Sequence, residues 1–222
     1  IFQKGIYKIM NIKHICFDLD GVLINSLEIM ESSWLEAAQK YNLDTNFNSY
    51  KKHIGIPFFD ILYKLGIEES YWEKIKKTYD EISTIEINNI QKYEGVDSLL
   101  DYLSSKDISY SIFTSKTKKR TNEILLKHFE NKKFANVLCP EDLPSSEGKP
   151  SGFGLEQIIR NLKIPKEEFL YVGDTLHDMM CAKNADVKFI LADWGYGNLE
   201  ISTESAKDIN EFINMIEIKI DG

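Results

Sequence analysis

The sequence predicts an α/β fold in which a parallel sheet is covered by helices on both faces and interrupted by an all-helical insertion. From Tyr93 onward, short apolar runs alternate with amphipathic stretches, a pattern typical of βαβ units in a parallel sheet. Residues 25–91 show helical periodicity instead, which indicates an insertion after the first strand. We therefore expect a core of residues 10–24 and 92–222 and a helical unit of residues 25–91.

The composition limits the classes of function. The chain has 222 residues and is 43% hydrophobic, so it can bury a substantial core. Its net charge of −8 argues against nucleic acid as the main partner. No apolar run approaches the ~18 residues that span a membrane. Residues 1–9 lack the features of a signal peptide, and we expect them to be an extension outside the fold, either disordered or not native to the chain.

The cysteines give no sign of a disulfide framework. Cys16, Cys139 and Cys181 are odd in number and scattered along the chain, and they fit neither paired bridges nor a zinc site. We expect them to be reduced and structural in a cytoplasmic protein. The sequence leaves the oligomeric state open.

The first strand ends in two acids. An apolar run from Lys13 leads into Asp18, Asp20 and Gly21. Side chains two apart in a strand point the same way, so the two carboxylates would lie together at the carboxyl end of the strand. Like charges at that distance repel unless a cation compensates them, which suggests a hard ion such as Mg²⁺. The alternative is that both acids only cap the following turn or helix.

The insertion is predicted to contain three helices and no strand between residues 27 and 91. Asn25 or Ser26 can cap the first helix, Pro57 can open the second, and the third would cover residues 71–90.

The remaining elements follow from the change of periodicity along the core. Helices are expected at 96–104, 116–129, 153–162, 176–184 and 209–218, and strands at 108–113, 136–139, 169–172 and 187–191.

Polar residues follow three more predicted strands. Thr114 and Ser115 precede a helix whose free N–H groups could bind an anion, although Ser115 could equally be an ordinary cap. Lys149 lies in the most polar loop, where a surface lysine is the alternative. Asp174 and Asp178 are one helical turn apart on one side. Each patch is a weak signal, but their chain order of acids, hydroxyl, lysine and acids is specific.

That order resembles the haloacid dehalogenase (HAD) superfamily, in its phosphoglycolate phosphatase and β-phosphoglucomutase-like branch. The four family motifs correspond to residues 17–23, Thr114, Lys149 with Pro150, and Gly173 through Thr175 with Asp178. The resemblance implies a Rossmann-like core and a small α-helical cap formed by residues 25–91.

The resemblance also implies roles for these residues. Asp18 would be the nucleophile that forms an aspartyl-phosphate, and Asp20 the general acid and then the base. Mg²⁺ would be held by Asp18, by the backbone carbonyl of Asp20 and by Asp174, with support from Asp178. Lys149 would neutralise charge during the transfer. The phosphoryl-binding residues would be Thr114, Ser115 and Gly21.

The function expected from this resemblance is that of a Mg²⁺-dependent phosphatase acting on a small phosphorylated metabolite. A phosphomutase is one alternative, but Met30 occupies the position where the mutases carry a cap histidine. A non-catalytic phosphometabolite-binding protein is the other, and the intact motif residues argue against it. His53, in a turn of the insertion, could contact the distal end of the substrate or could be a solvated helix-end residue.

Overall fold

The structure is a computed structural model that describes residues 11–197 and 203–221, with side chains as far as residue 218. The expected extension at residues 1–9 lies outside the described residues.

Strands and helices alternate along most of the described chain. The strands are β1 His14–Phe17, β2 Ile24–Asn25, β3 Gln91–Lys92, β4 Ser109–Phe113, β5 Val137–Leu138, β6 Phe169–Gly173, β7 Lys188–Ala192 and β8 Ser205–Ala206. The α-helices are α1 Leu27–Lys40, α2 Phe47–Lys51, α3 Phe58–Lys64, α4 Trp72–Ile85, α5 Val96–Ser105, α6 Lys118–His128, α7 Phe153–Leu162, α8 Leu176–Ala185 and α9 Ile209–Asp221.

Six of these strands form one parallel sheet with β1 in its interior. The strand order is β5-β4-β1-β6-β7-β8, and every neighbouring pair is parallel. Phe17 of β1 lies opposite Ile112 of β4 and Val172 of β6. This register brings the carboxyl ends of the three strands to one edge, the place where open α/β sheets bind ligands.

Helices cover both faces of this sheet, as the sequence predicts. Ile15 and Phe17 of β1 belong to one buried cluster that includes residues of α5 and α9. Cys16, which points to the opposite face, belongs to a second cluster with residues of α7 and α8. Because successive strand side chains alternate between faces, a strand buried on both faces is expected to be largely apolar, as β1 is after its first residue, His14. The predicted Rossmann-like α/β fold is confirmed.

A third hydrophobic cluster belongs to α1–α4. Trp34 is fully buried at its centre, and its ring lies 4.6 Å from that of Tyr50. Within this region the expectation of no strand is wrong at Gln91, which starts β3. The partner of β3 is β2, more than sixty residues earlier, so local periodicity gives no sign of the pairing. The helix α2 was also missed; Asn46 caps it by accepting from the Ser49 N–H at 3.0 Å.

Cys16, Cys139 and Cys181 are all buried free thiols. In the part of the chain that the structure describes, every helix is too short or too polar to cross a bilayer.

Candidate active site

Asp18 follows β1 directly and is buried. Its N–H donates to the Val172 carbonyl at 2.9 Å, which extends the sheet pairing by one residue. Its Oδ1 accepts from the Leu19 N–H at 2.7 Å and lies 2.9 Å from Lys149 Nζ. The carboxylate is thereby fixed on a rigid strand end.

Lys149 is a buried cation between two acids. Its Nζ lies 2.9 Å from Asp18 and 2.8 Å from Asp178, and its side chain is fully buried. Burial lowers the pKa of Lys149, but the carboxylates of Asp178 and Asp18 outweigh burial and raise the pKa above its usual value. Lys149 is therefore a permanent positive charge at this site, and the surface-lysine alternative does not describe it.

Asp178 is fixed by the start of α8. Its Oδ2 accepts from Thr175 N–H at 3.0 Å and from Thr175 Oγ1 at 2.6 Å, in a capping box. Its Oδ1 accepts from the Tyr171 hydroxyl at 2.7 Å. Burial raises its pKa, but Lys149 and these hydrogen bonds prevail and lower it. Asp178 is thus ionised, and both of its oxygens accept hydrogen bonds. In this position it orients the Lys149 ammonium group.

Asp18, Asp174 and Asp178 form a group that we call the carboxylate cluster. One oxygen from each lies within 4.8 Å of the others, and all three residues are buried. Burial raises the pKa of Asp18 to about 7, against the opposing effect of Lys149. Burial and the other two carboxylates raise the pKa of Asp174 well above its usual value. Three buried acids beside a single lysine leave negative charge that a cation would compensate.

Asp174 has the carboxylate oxygen of the cluster that is most available to a metal ion. Its Oδ2 accepts from the Tyr196 N–H at 2.7 Å, whereas its buried Oδ1 has no hydrogen-bond partner among the described residues. Gly21 has φ +85°, and a Cβ there would lie 2.1 Å from Asp174 Oδ2. The backbone thus approaches this carboxylate as closely as only glycine permits. Oxygen ligands in such a confined position fit a small hard divalent cation.

Asp20 faces away from the carboxylate cluster, toward the insertion. Its Oδ1 accepts a hydrogen bond from the Ser26 hydroxyl, and its Oδ2 lies 3.2 Å from Lys116 Nζ. The two acids of the first motif therefore have different surroundings although they are two residues apart. Sequence reasoning identified Asp20 but missed Ser26 as its partner.

Thr114 and Ser115 lie after β4 at the same edge of the sheet. Thr114 Oγ1 accepts from the Lys116 N–H at 3.1 Å, and Ser115 Oγ donates to the Gly55 carbonyl of the insertion at 2.8 Å. The helix α6 starts at Lys118 after the N-cap Thr117, two residues after the predicted start, because the Lys116 N–H is bound by Thr114 in the preceding turn. Ser115 therefore links the core to the insertion and is not the cap of α6.

A cavity of about 430 Å³ lies beside these residues, between the core and α1–α4. Its core side includes Asp18, Asp20, Thr114 and Ser115. Met30 also lines it and is buried. Two carboxylates, two hydroxyl groups and a cavity of the size of a small-molecule site therefore meet at one edge of the sheet.

His53 lies elsewhere in the insertion and does not line this cavity. Burial, Lys64 and Lys52 lower its pKa, so its immediate surroundings are positively charged. Its assignment as a substrate contact stays a prediction. His177 is half-buried at the start of α8.

The turn at residues 194–197 contacts both Asp174 and Ser26. Its Tyr196 N–H binds Asp174, and the Tyr196 hydroxyl accepts from the Ser26 N–H at 2.6 Å. A Cβ on Gly195 would lie 2.3 Å from Asp174 Cβ. The glycines in this turn were the available signal, because they mark close backbone approach, but the sequence does not say what they approach.

The comparison with known proteins agrees with this geometry. Residues 15–192 match the family described as haloacid dehalogenase-like hydrolases. The chain belongs to this family. The resemblance stated from the four motifs is thereby confirmed, and the chain is a member of a family of hydrolytic enzymes.

Similar proteins cover most of the chain. A pyrophosphatase PpaX from Oceanobacillus iheyensis is 26% identical over 83% of this chain and 85% of its own length. A pyrophosphatase PpaX from Bacillus cereus is 30% identical over the same shares. A solved structure from Bacteroides fragilis, assigned to the haloacid dehalogenase-like hydrolases, has a TM-score of 0.82 at 21% identity and covers 90% of this chain and 99% of its own. A hydrolase from Pseudomonas syringae has a TM-score of 0.79 at 20% identity, with 92% and 98% covered.

Proposed function

We propose that this protein is a Mg²⁺-dependent phosphatase that hydrolyses a small phosphate monoester through an aspartyl-phosphate on Asp18. The observation that carries the proposal is the buried Asp18 carboxylate, which is held by Lys149 at 2.9 Å, belongs to the carboxylate cluster and also lines the cavity.

The first step would be attack by a carboxylate oxygen of Asp18 on phosphorus. Two anions must approach each other, so positive charge at the site is required. Lys149 supplies one fixed charge beside Asp18. Asp18 and Asp174 would hold Mg²⁺ together with the backbone carbonyl of Asp20, and the bound ion would neutralise charge on the phosphoryl oxygens. Thr114, Ser115 and the backbone at Gly21 would orient the phosphoryl group.

Asp20 would move the proton. Its carboxyl would protonate the leaving oxygen as the P–O bond breaks, and the resulting carboxylate would take a proton from the water that hydrolyses the aspartyl-phosphate. Its position supports this role, since the Ser26 hydroxyl orients one of its oxygens and Asp20 lines the same cavity as Asp18. Asp20 would thus act on the leaving group while the carboxylate cluster acts on the phosphoryl group.

We also propose that residues 25–91 act as a cap on a core of residues 10–24 and 92–222. The separate hydrophobic cluster of α1–α4 supports this division, as does the short β2–β3 pair at its two ends. The contact between Ser115 and Gly55 would hold this cap over the cavity and exclude water during the reaction.

The test is phosphate release from p-nitrophenyl phosphate with and without Mg²⁺. We expect activity only with the metal, and a loss of at least about 10³-fold in Asp18→Asn because the nucleophile is gone. The matched control is Asp44→Asn, at an exposed aspartate of the insertion. Full activity in Asp18→Asn would refute the proposal. An isomerised sugar phosphate with little phosphate release would support the mutase alternative instead.

Pyrophosphate hydrolysis is a second candidate, favoured by the name of the relatives at 26–30% identity. The same residues could serve it, with phosphate in place of an alcohol as the leaving group. Parallel assays with pyrophosphate and phosphate monoesters at equal concentration would decide between the two.

A further inference from the structure

The cavity next to Asp18 is lined mainly by apolar side chains on the side formed by the insertion. Five of these side chains form what we call the apolar wall: Met30, Ile54, Phe58, Phe59 and Tyr79. They come from α1, α3, α4 and the turn before α3. Members of the wall are at least half-buried except Phe59, which is 36% exposed.

The aromatic members of the wall are held in place by one another. The rings of Phe58 and Tyr79 have centroids 4.9 Å apart at an interplanar angle of 53°. Tyr50 packs behind both, at 6.3 Å from Phe58 and 6.0 Å from Tyr79. Phe59 stacks on Trp72 at 5.8 Å and 17°. Ordered aromatic faces of this kind contact flat apolar groups at low entropic cost.

The cations along the cavity are already paired with acids. Among the described residues its positively charged lining consists of Lys76, Lys116 and Arg120. Lys76 forms an ion pair with Asp80, Lys116 with Asp20 at 3.2 Å, and Arg120 with Glu123 at 2.7 Å.

A second negative charge on a substrate would therefore find no free cation. It would have to displace a carboxylate from one of these three pairs. Asp80 and Glu141 also line the cavity, which adds repulsion. The charge pattern disfavours a carboxylate or a second phosphate on the leaving group.

We propose that the substrate is a phosphate monoester of an uncharged alcohol that carries an apolar ring, and that the ring lies against the apolar wall. This inference rests on the proposed phosphatase function and specifies its leaving group. Water and the ester would give the free alcohol and inorganic phosphate. A volume of about 430 Å³ lies within the range of small-molecule sites.

The test compares kcat/KM for esters with leaving groups of similar reactivity: 2-phenylethyl phosphate, ethyl phosphate and 2-phosphoglycolate, with pyrophosphate as a fourth substrate. We expect kcat/KM for 2-phenylethyl phosphate to exceed that for ethyl phosphate by about tenfold or more, since burial of apolar groups separates the kcat/KM values of related substrates by 10–200-fold. The kcat/KM values for phosphoglycolate and pyrophosphate should be lower than that for ethyl phosphate.

Variants of the wall test its role directly. Phe58→Ala should lower kcat/KM for 2-phenylethyl phosphate about fivefold more than kcat/KM for ethyl phosphate, mainly through KM. Ile54→Lys places a free cation at a half-buried position. It should raise the ratio of kcat/KM for phosphoglycolate to kcat/KM for 2-phenylethyl phosphate by about tenfold. Met30→Lys is a second variant with the same expectation. Leu126→Ala, at a residue of α6 that is 76% exposed, is the control.

The outcomes separate this inference from the proposed function. Asp18-dependent turnover that favours phosphoglycolate or pyrophosphate, or that ignores the ring, would overturn the inference alone. An unchanged preference in Phe58→Ala and in both lysine variants would also overturn it. No turnover of any of the four compounds or of p-nitrophenyl phosphate would refute the phosphatase function and the inference together.

Discussion

The carboxylate cluster and the apolar wall differ in physical character, although they belong to one site. Asp18 is a member of the cluster and also lines the cavity that the wall lines. The cluster concentrates buried charge at the ends of β1 and β6. The wall excludes free charge and comes from short helices and a turn. Rigid strand ends can hold carboxylates close together against their repulsion. Helical side chains offer area and shape for the rest of a ligand. In the proposed function, the chemistry and the selectivity thus belong to different elements.

Replacement of Lys149 tests the cluster with the largest expected effect. Lys149→Met removes the one positive charge between Asp18 and Asp178. We expect kcat to fall by about 10²–10³-fold, as for loss of one charge-stabilising donor, with the preference among esters unchanged. Steady-state kinetics on two esters would measure both. Lys119→Met, at an exposed lysine of α6, is the control. A change in ester preference would contradict the separation of the two regions.

His14 shows what burial does at the other end of the same strand. It is fully buried, its Nδ1 lies 2.7 Å from Ser109 Oγ, and burial lowers its pKa to about 4. The folded state therefore resists a proton that the unfolded state takes up near pH 6.5. The free energy of unfolding therefore has its full value, as far as His14 is concerned, above pH 6.5. It falls as the pH drops from 6.5 toward 4, by about 3 kcal/mol in total.

Urea unfolding between pH 7.5 and 4 would measure this effect. His14→Gln removes the titrating group, so its free energy of unfolding should decline less steeply with falling pH than that of the wild type. Equal slopes would show that His14 does not govern acid stability.

Arg120 connects α6 of the core to α4 of the insertion. It is buried on α6 and donates to the Ser83 carbonyl at 2.7 Å and to Thr84 Oγ1 at 3.3 Å, both near the end of α4. We expect Arg120→Met to lower the free energy of unfolding by about 2 kcal/mol, because a charged hydrogen bond is lost and a carbonyl is left unpaired. KM for ring-bearing esters should rise, since α4 carries Tyr79.

Arg120→Lys is the matched variant. It keeps the charge but not the planar fork that reaches two acceptors, so its stability should lie between those of Arg120→Met and the wild type. A stability equal to that of the wild type in Arg120→Met would exclude this link between α6 and α4.

Replacement of Asp174 has the smallest expected effect on stability, but the direction of the change is specific to a metal site. Asp174→Asn removes one of three buried carboxylates, and Asn can still accept from Tyr196 N–H. Without metal the variant should be more stable than the wild type, on the order of 1 kcal/mol, because repulsion is relieved. Mg²⁺ should stabilise the wild type but not the Asp174→Asn variant. Thermal unfolding with and without Mg²⁺ measures both, and a variant that Mg²⁺ still stabilises would place the ion elsewhere.

The sequence could predict the elements whose signals are local. The apolar run before Asp18, the period-3.6 patterns and the order of the four motifs all lie within short windows. Tyr196 and β3 act through partners far along the chain, so their roles had no local signal. Lys149 is the clearest case, because a lone lysine in a polar loop is usually exposed, and only the resemblance to the family motif implied a role at the site.

The sequence by itself determined the α/β fold class and the chain order of the acidic, hydroxyl and lysine side chains that follow the strands, because side-chain type and periodicity are properties of the chain. Only the tertiary structure decided which carboxylates are neighbours, how the cations of the cavity are paired, and that the insertion presents aromatic faces to Asp18. Those properties depend on distances between residues that are remote in sequence, and packing of the helices against the strand ends sets these distances.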